Sequence, residues 1–143
     1  MASDHPLLAL DHLDNLWFQI AGTICNLRCN HCFISCSPEN HALGMMTFEQ
    51  FLPYLHEAIQ LGVKEFYFTG GEPFANPDLL KVLDATLQVG PATVLTNATL
   101  FSSQVVKELG SIRDASIYSL ELRVSMDWIF AGDKRSDPRS WHV

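Results

Sequence analysis

Short apolar runs alternate with amphipathic ones through most of this sequence, and that order restricts the folds open to it. Leu16-Trp17-Phe18-Gln19-Ile20 is short, apolar and aromatic-rich, the pattern of a buried strand. Thr47-Phe48-Glu49-Gln50 is a capping box. Phe48, Phe51, Leu52, Leu55 and Ile59 then recur at helical spacing through Gln60, with Pro53 at an early or kinked position and Gly62 as the stop. Val63 to Phe68 predicts a second strand, and Asn76-Pro77 opens a second helix. Leu79, Leu80, Leu83 and Leu87 form that helix's buried face, and Gly90 closes it. Ala92 to Leu95 predicts a third strand, ending at Thr96-Asn97. Ser102 caps a third helix through Leu109, with Val105, Val106 and Leu109 facing inward, and Leu120 to Ser125 reads as a fourth strand. Such alternation requires parallel strands joined by right-handed crossovers, with helices covering the sheet. The fold class is therefore α/β. Periodicity alone does not choose between a barrel and an open sheet.

Just past the first strand lies Cys25-Asn26-Leu27-Arg28-Cys29-Asn30-His31-Cys32. In α/β folds this is the end of the sheet at which ligands bind. Three thiolates can hold three of the four irons of a [4Fe–4S] cube, whereas electron-transfer cubes use four cysteines. The three-cysteine arrangement leaves one iron open to a substrate or cosubstrate. Two other readings stand beside this one. Cys29-x-x-Cys32 alone is a common zinc half-site or redox pair. With Cys36, the set Cys25, Cys29, Cys32 and Cys36 also suits a closed four-sulfur site. All four cysteines lie between Cys25 and Cys36. A secreted disulfide framework would spread its bridges along the chain, so the clustering points to metal in a reducing compartment.

A second constellation follows the second strand directly: Thr69-Gly70-Gly71-Glu72-Pro73. Paired glycines let a backbone approach a ligand with no side chain in the way. Glu72 adds a carboxylate suited to an ammonium, and Pro73 fixes the exit of the turn. Taken alone, the segment is also compatible with an ordinary strand-to-helix turn carrying a solvated glutamate. Its position, at the same end of the neighbouring predicted strand as the cysteines, has no use in a zinc ribbon.

Together the two segments resemble the radical S-adenosylmethionine (radical SAM) superfamily, whose signature is Cys-x3-Cys-x2-Cys with a downstream Gly-Gly-Glu-Pro. The resemblance implies a partial (β/α) barrel, a [4Fe–4S] cluster on Cys25, Cys29 and Cys32, and S-adenosylmethionine on the open iron. It implies that an electron from the cluster breaks a carbon–sulfur bond of the sulfonium. The resulting 5′-deoxyadenosyl radical then takes hydrogen from a peptide or small-molecule substrate, so no side chain is the hydrogen acceptor. The cofactor carries that chemistry while the protein supplies ligands and orientation. Gly70, Gly71 and Glu72 occupy the positions that hold the cosubstrate's amino group. His31 stands where the family places a residue beside the adenine; a surface histidine or a zinc ligand is the alternative. Thr96-Asn97 resembles Thr-Asn-Gly with Ala98 in place of the glycine, and puts Asn97 either on the substrate side or in an ordinary turn. Ser125-Met126-Asp127 resembles Ser-x-Asp-Gly with Trp128 in place of the glycine, and implies a contact from Ser125 to the cosubstrate's carboxylate or ribose. Cys36 lies outside the signature, as a shielded loop thiol or a fourth ligand. His41, Met45 and Met46 either shield the cube or simply pack the loop. Arg28 either raises the cluster potential or is solvated.

The expected organisation is an N-terminal extension at 1–15, a truncated core of four strands and three helices at 16–127, and a non-matching polar tail at 128–143. Further C-terminal strands of such a barrel are missing, so the expectation is marginal stability, self-association through the open sheet edge, or a completing partner. With 48% apolar and 17% charged residues the chain suits a globular domain rather than disorder. A net charge of −7 disfavours nucleic acid or an anionic membrane as the main partner. Met1 to Leu13 lacks a basic residue before its apolar run, which disfavours a secretory signal, and no apolar run approaches the ~18 residues of a membrane span. A cytoplasmic protein with an external electron donor is expected.

Overall fold

The computed structural model describes residues 12–126. The elements run β1 (Asn15–Gln19), α1 (Phe48–Gln60), β2 (Glu65–Thr69), a 3-10 turn (Pro73–Ala75), α2 (Leu79–Thr86), β3 (Ala92–Thr96), α3 (Ser103–Asp114) and β4 (Leu120–Val124). The strands form one parallel sheet in the order β1-β2-β3-β4. This unreversed order answers what periodicity left open. In a doubly wound sheet the order reverses and helices fall on both faces; here each crossover advances one strand in the same direction, as in a barrel.

Register explains which residues the helices cover. Leu16, Phe66, Ala92 and Leu120 align in one row, and Phe18, Phe68, Val94 and Leu122 in the next. These rows meet Phe51, Leu55 and Ala58 of α1, Leu79, Val82 and Leu83 of α2, and Leu109 of α3 in a single core. Phe18 lies edge-on to Phe51 at 4.9 Å, and Phe51 also meets Phe68 at 6.0 Å. The other face has no helix among the described residues. Its central row is Trp17, Tyr67, Thr93 and Glu121, half polar and half aromatic. Trp17 stacks on Tyr67 at 4.4 Å, the Arg123 guanidinium sits 5.6 Å above the Tyr67 ring, and Thr93 donates to Glu121. Parallel sheets normally have both faces covered; among the described residues this one carries helices on one face alone, an unclosed part of a (β/α) barrel with four strands and three helices.

The helix ends follow local chemistry. Thr47 and Gln50 exchange both bonds of the capping box at α1. Ser102 accepts from the Val105 amide at α3. Pro53 sits inside α1 without ending it. Three details differ from the sequence expectation. Asn76-Pro77 does not begin regular helix, because the Asn76 Nδ2 donates to the carbonyls of Ile20 and Met46, at 2.8 Å each, while its Oδ1 accepts from the Asp78 amide. Ile59 and Val106 are exposed rather than inward; Ala58 and Leu109 take the buried positions on those helices. Finally, α3 runs past Leu109 and Gly110 to Asp114.

Candidate functional site

Because the strands are parallel, β1, β2, β3 and β4 all release their chain at one end of the sheet, and the residues expected to act leave from there. Beyond β1 the backbone turns through Ile20–Ile24 into the cysteine loop. Thr23 holds that turn: its hydroxyl donates to the Asn40 carbonyl at 2.9 Å and accepts from the Leu43 amide. Ile24 bridges Ser37, and Cys25 N donates to the Ser37 carbonyl, so the loop is closed on itself. Cys25 is buried, while Cys29 and Cys32 are half-buried. None of the four cysteines is in a disulfide. Backbone amides aim at two of the sulfurs: Leu27 N at Cys25 Sγ (3.4 Å) and Cys36 N at Cys32 Sγ (3.3 Å). Among the described residues, no three Cys, His, Asp or Glu side chains already converge as metal ligands. The donor set nonetheless fits an iron–sulfur cluster: three sulfurs on one loop, with N–H···S bonds of the kind that stabilise cluster thiolates.

Cys36 is also buried, and lines an open hollow of about 400 Å³ together with Cys29 and Cys32. Burial first, and then the neighbouring Cys32 sulfur, push its thiol up to about 12. Burial likewise raises Cys25. Arg28 pairs with Glu39 at the rim of this hollow, both mostly exposed. Met46 packs against the core, and its amide donates to the Ile20 carbonyl. His31 and His41 are on the exposed surface of their loops.

The Gly70-Gly71-Glu72 turn is docked on the cysteine loop's own base. Gly71 N donates to the Gly22 carbonyl (2.9 Å) and Glu72 N to the Ile24 carbonyl (3.0 Å). Gly70 has φ +130°, and a Cβ there would sit 2.9 Å from Ala21 N; a Cβ on Gly71 would overlap the Ile24 carbonyl. The pair thus admits a close approach, as their sequence predicts, but the approaching group is the Ala21–Cys25 backbone. Glu72 is fully buried. Its Oε1 accepts from Thr96 Oγ1 (2.6 Å) and Phe74 N (3.1 Å), and its Oε2 from Asn97 N (2.8 Å). The carboxylate therefore fastens the end of β2 to the end of β3.

Asn97 carries the connection onward, donating from Nδ2 to Asn26 Oδ1 (3.0 Å) and toward Cys25 Sγ (3.8 Å). Asn26 in turn donates to Thr99 Oγ1 at 2.7 Å. Ser125, exposed at the end of β4, donates its amide to the Thr96 carbonyl. Asp127 and the tail lie outside the described residues. Sequence reading missed Asn26 and Thr99 as site residues. Neither belongs to a periodic pattern, and the one signal was a polar residue beside the first cysteine.

A family model described as the radical SAM superfamily matches residues 20–121. The chain belongs to the radical SAM superfamily. Radical SAM proteins use a [4Fe–4S] cluster and S-adenosylmethionine, and these are its cofactors. Among curated relatives, the antilisterial bacteriocin subtilosin biosynthesis protein AlbA of Bacillus subtilis (strain 168) is 34% identical over 99 residues, covering 68% of this chain and 22% of the relative. An AdoMet-dependent heme synthase of Methanosarcina barkeri is 29% identical over 109 residues, 76% of this chain and 30% of the relative. A GTP 3′,8-cyclase of Sulfurimonas denitrificans is 30% identical over 107 residues, 70% of this chain and 31% of the relative. The chain thus spans less than a third of the length of each of these radical SAM relatives. Among the described residues, no helix is long and apolar enough to cross a membrane.

Proposed function

We propose that this chain builds the cluster end of a radical SAM enzyme acting on a peptide or small-molecule substrate, with electrons from an external donor. In this reading Cys25, Cys29 and Cys32 hold the cluster. The turn Gly70-Gly71-Glu72, with His31 and Ser125, forms the shelf for S-adenosylmethionine. When bound, the cluster and cosubstrate supply one-electron cleavage of the sulfonium to methionine and a 5′-deoxyadenosyl radical. The chain's residues seat and orient. Glu72 contributes by position, since internal donors fill its carboxylate, and Gly70 and Gly71 hold the shelf against the base of the cysteine loop.

The observation that supports this most is the direct bonding between the two motifs: Gly71 N to Gly22 O and Glu72 N to Ile24 O, one residue before Cys25. The relatives' names cover bacteriocin biosynthesis, heme synthesis and a GTP cyclase, which supports a peptide or small molecule as the substrate class. The clustered thiols support a reducing compartment, and the cytoplasm is the proposed location. The test is anaerobic reconstitution, reduction with dithionite, and assay for 5′-deoxyadenosine. Its production supports the reading; a well-loaded cluster that yields none refutes catalysis by this chain. A second reading, a cluster-binding chain that does not cleave the cosubstrate, is favoured by the sheet face that carries no helix among the described residues, and cluster spectra unchanged by S-adenosylmethionine would establish it.

A further inference from the structure

Asn97 has its side-chain amide bonded on both sides. Its Oδ1 accepts from the Thr99 amide (3.0 Å) and from Thr99 Oγ1 (2.6 Å). A backbone N–H can only donate, so the atom facing it must be the oxygen, and the amide orientation is fixed by chemistry. The nitrogen is thereby turned toward the cysteine loop, where one N–H serves Asn26 Oδ1 and the other Cys25 Sγ. The backbone is held as firmly: Asn97 N donates to the buried Glu72 carboxylate, and Ala98 stands at φ +58°, the left-handed turn that brings Thr99 round to Asn97. A ring of bonds through Asn97, Asn26 and Thr99 thus spans the end of β3 and the loop residue next to Cys25.

We propose that Asn97 is a positioning residue for the cluster, one that sets its reduction potential by donating an N–H bond to the Cys25 sulfur. A donor at a ligand sulfur withdraws charge and stabilises the reduced, more negative cluster more than the oxidised one, so it raises the potential. Thr99 orients the amide, and Glu72 holds its backbone. The proposal rests on Cys25 being a cluster ligand.

The test uses the full chain, reconstituted anaerobically without S-adenosylmethionine, with iron content measured first and the midpoint potential then read by titrating the reduced cluster's electron paramagnetic resonance signal. Asn97→Ala is expected to shift the potential downward, and Asn97→Asp, which places a carboxylate oxygen where the donor was, further downward. Lys107→Ala on the exposed side of α3 is expected to leave it unchanged. Loaded Asn97 variants with the wild-type potential overturn the proposal while leaving the cluster assignment intact. Should neither Asn97 variant hold iron, Thr99→Val decides, since it keeps the amide and removes only one of the groups that orient it. A smaller downward shift supports the proposal, and none overturns it. A wild-type chain that takes up no iron overturns the cluster assignment and this proposal with it.

Discussion

Glu72 shows how one side chain's role depends on partners far away in sequence. The Gly-Gly-Glu-Pro turn is legible at once, because it follows an apolar strand and has few other uses. The destination of the carboxylate is not legible, because Thr96 and Asn97 reach it only after β3 pairs with β2. Glu72→Gln keeps the shape but turns an NH2 group toward one of the three donors that now bond the carboxylate. The expected loss is about 1–3 kcal/mol, the cost of a buried donor left without an acceptor, read from urea unfolding. Ala98 makes the opposite case. The family's glycine is replaced, yet the glycine conformation is kept at φ +58°. A left-handed alanine costs roughly 1–2 kcal/mol, and glycine's extra chain entropy returns about half of that. Ala98→Gly is therefore expected to stabilise by up to about 1 kcal/mol, seen as a raised thermal midpoint.

At the scale of elements, the strands were readable to within a residue or two, since apolar and aromatic runs of this length have no alternative use. The starts of α1 at Thr47 and α3 at Ser102 were readable too, and that of α2 was not. Asn76 spends its amide on Ile20 and Met46, and Asp78, just before α2, accepts from Phe48 N at the start of α1 as well as from Lys81. The start of α1 is thus capped partly by a residue that sequence order assigns to α2, while Asp78 gives α2 itself no side-chain cap. The Lys81 bond, followed by the Phe48 amide, holds the Asp78 carboxyl below its ordinary value of 3.8. A depressed carboxyl contributes stability that is present above its unfolded value and lost as pH falls through the folded one. Stability is therefore expected to decline below about pH 4, and Asp78→Asn to weaken that decline while lowering stability at pH 7. Urea midpoints at pH 7, 5 and 3 check both.

For the molecule as a whole, four parallel strands with all helices on one side leave the other face uncovered and the outer edges of β1 and β4 unpaired among the described residues. Trp17 is 53% exposed on that face. Such surfaces favour association. The chain at micromolar concentration is expected to elute as a self-associated species or to require a completing partner; a stable monomer on dilution would count against this. The alternation of elements was readable, but the one-sided helix layer was not, because periodicity says which stripe of a helix is buried and not which face of a sheet receives it. The central claim, that three sulfurs of the loop leave one iron open to S-adenosylmethionine, is tested most directly by the cluster's electron paramagnetic resonance spectrum with and without that cosubstrate, in wild type, Cys36→Ala and Cys29→Ala. The expected result is that wild type and Cys36→Ala both load about four irons and change spectrum on addition, while Cys29→Ala loses the cluster. Loss of the cluster in Cys36→Ala, or a wild-type spectrum indifferent to the cosubstrate, would contradict it.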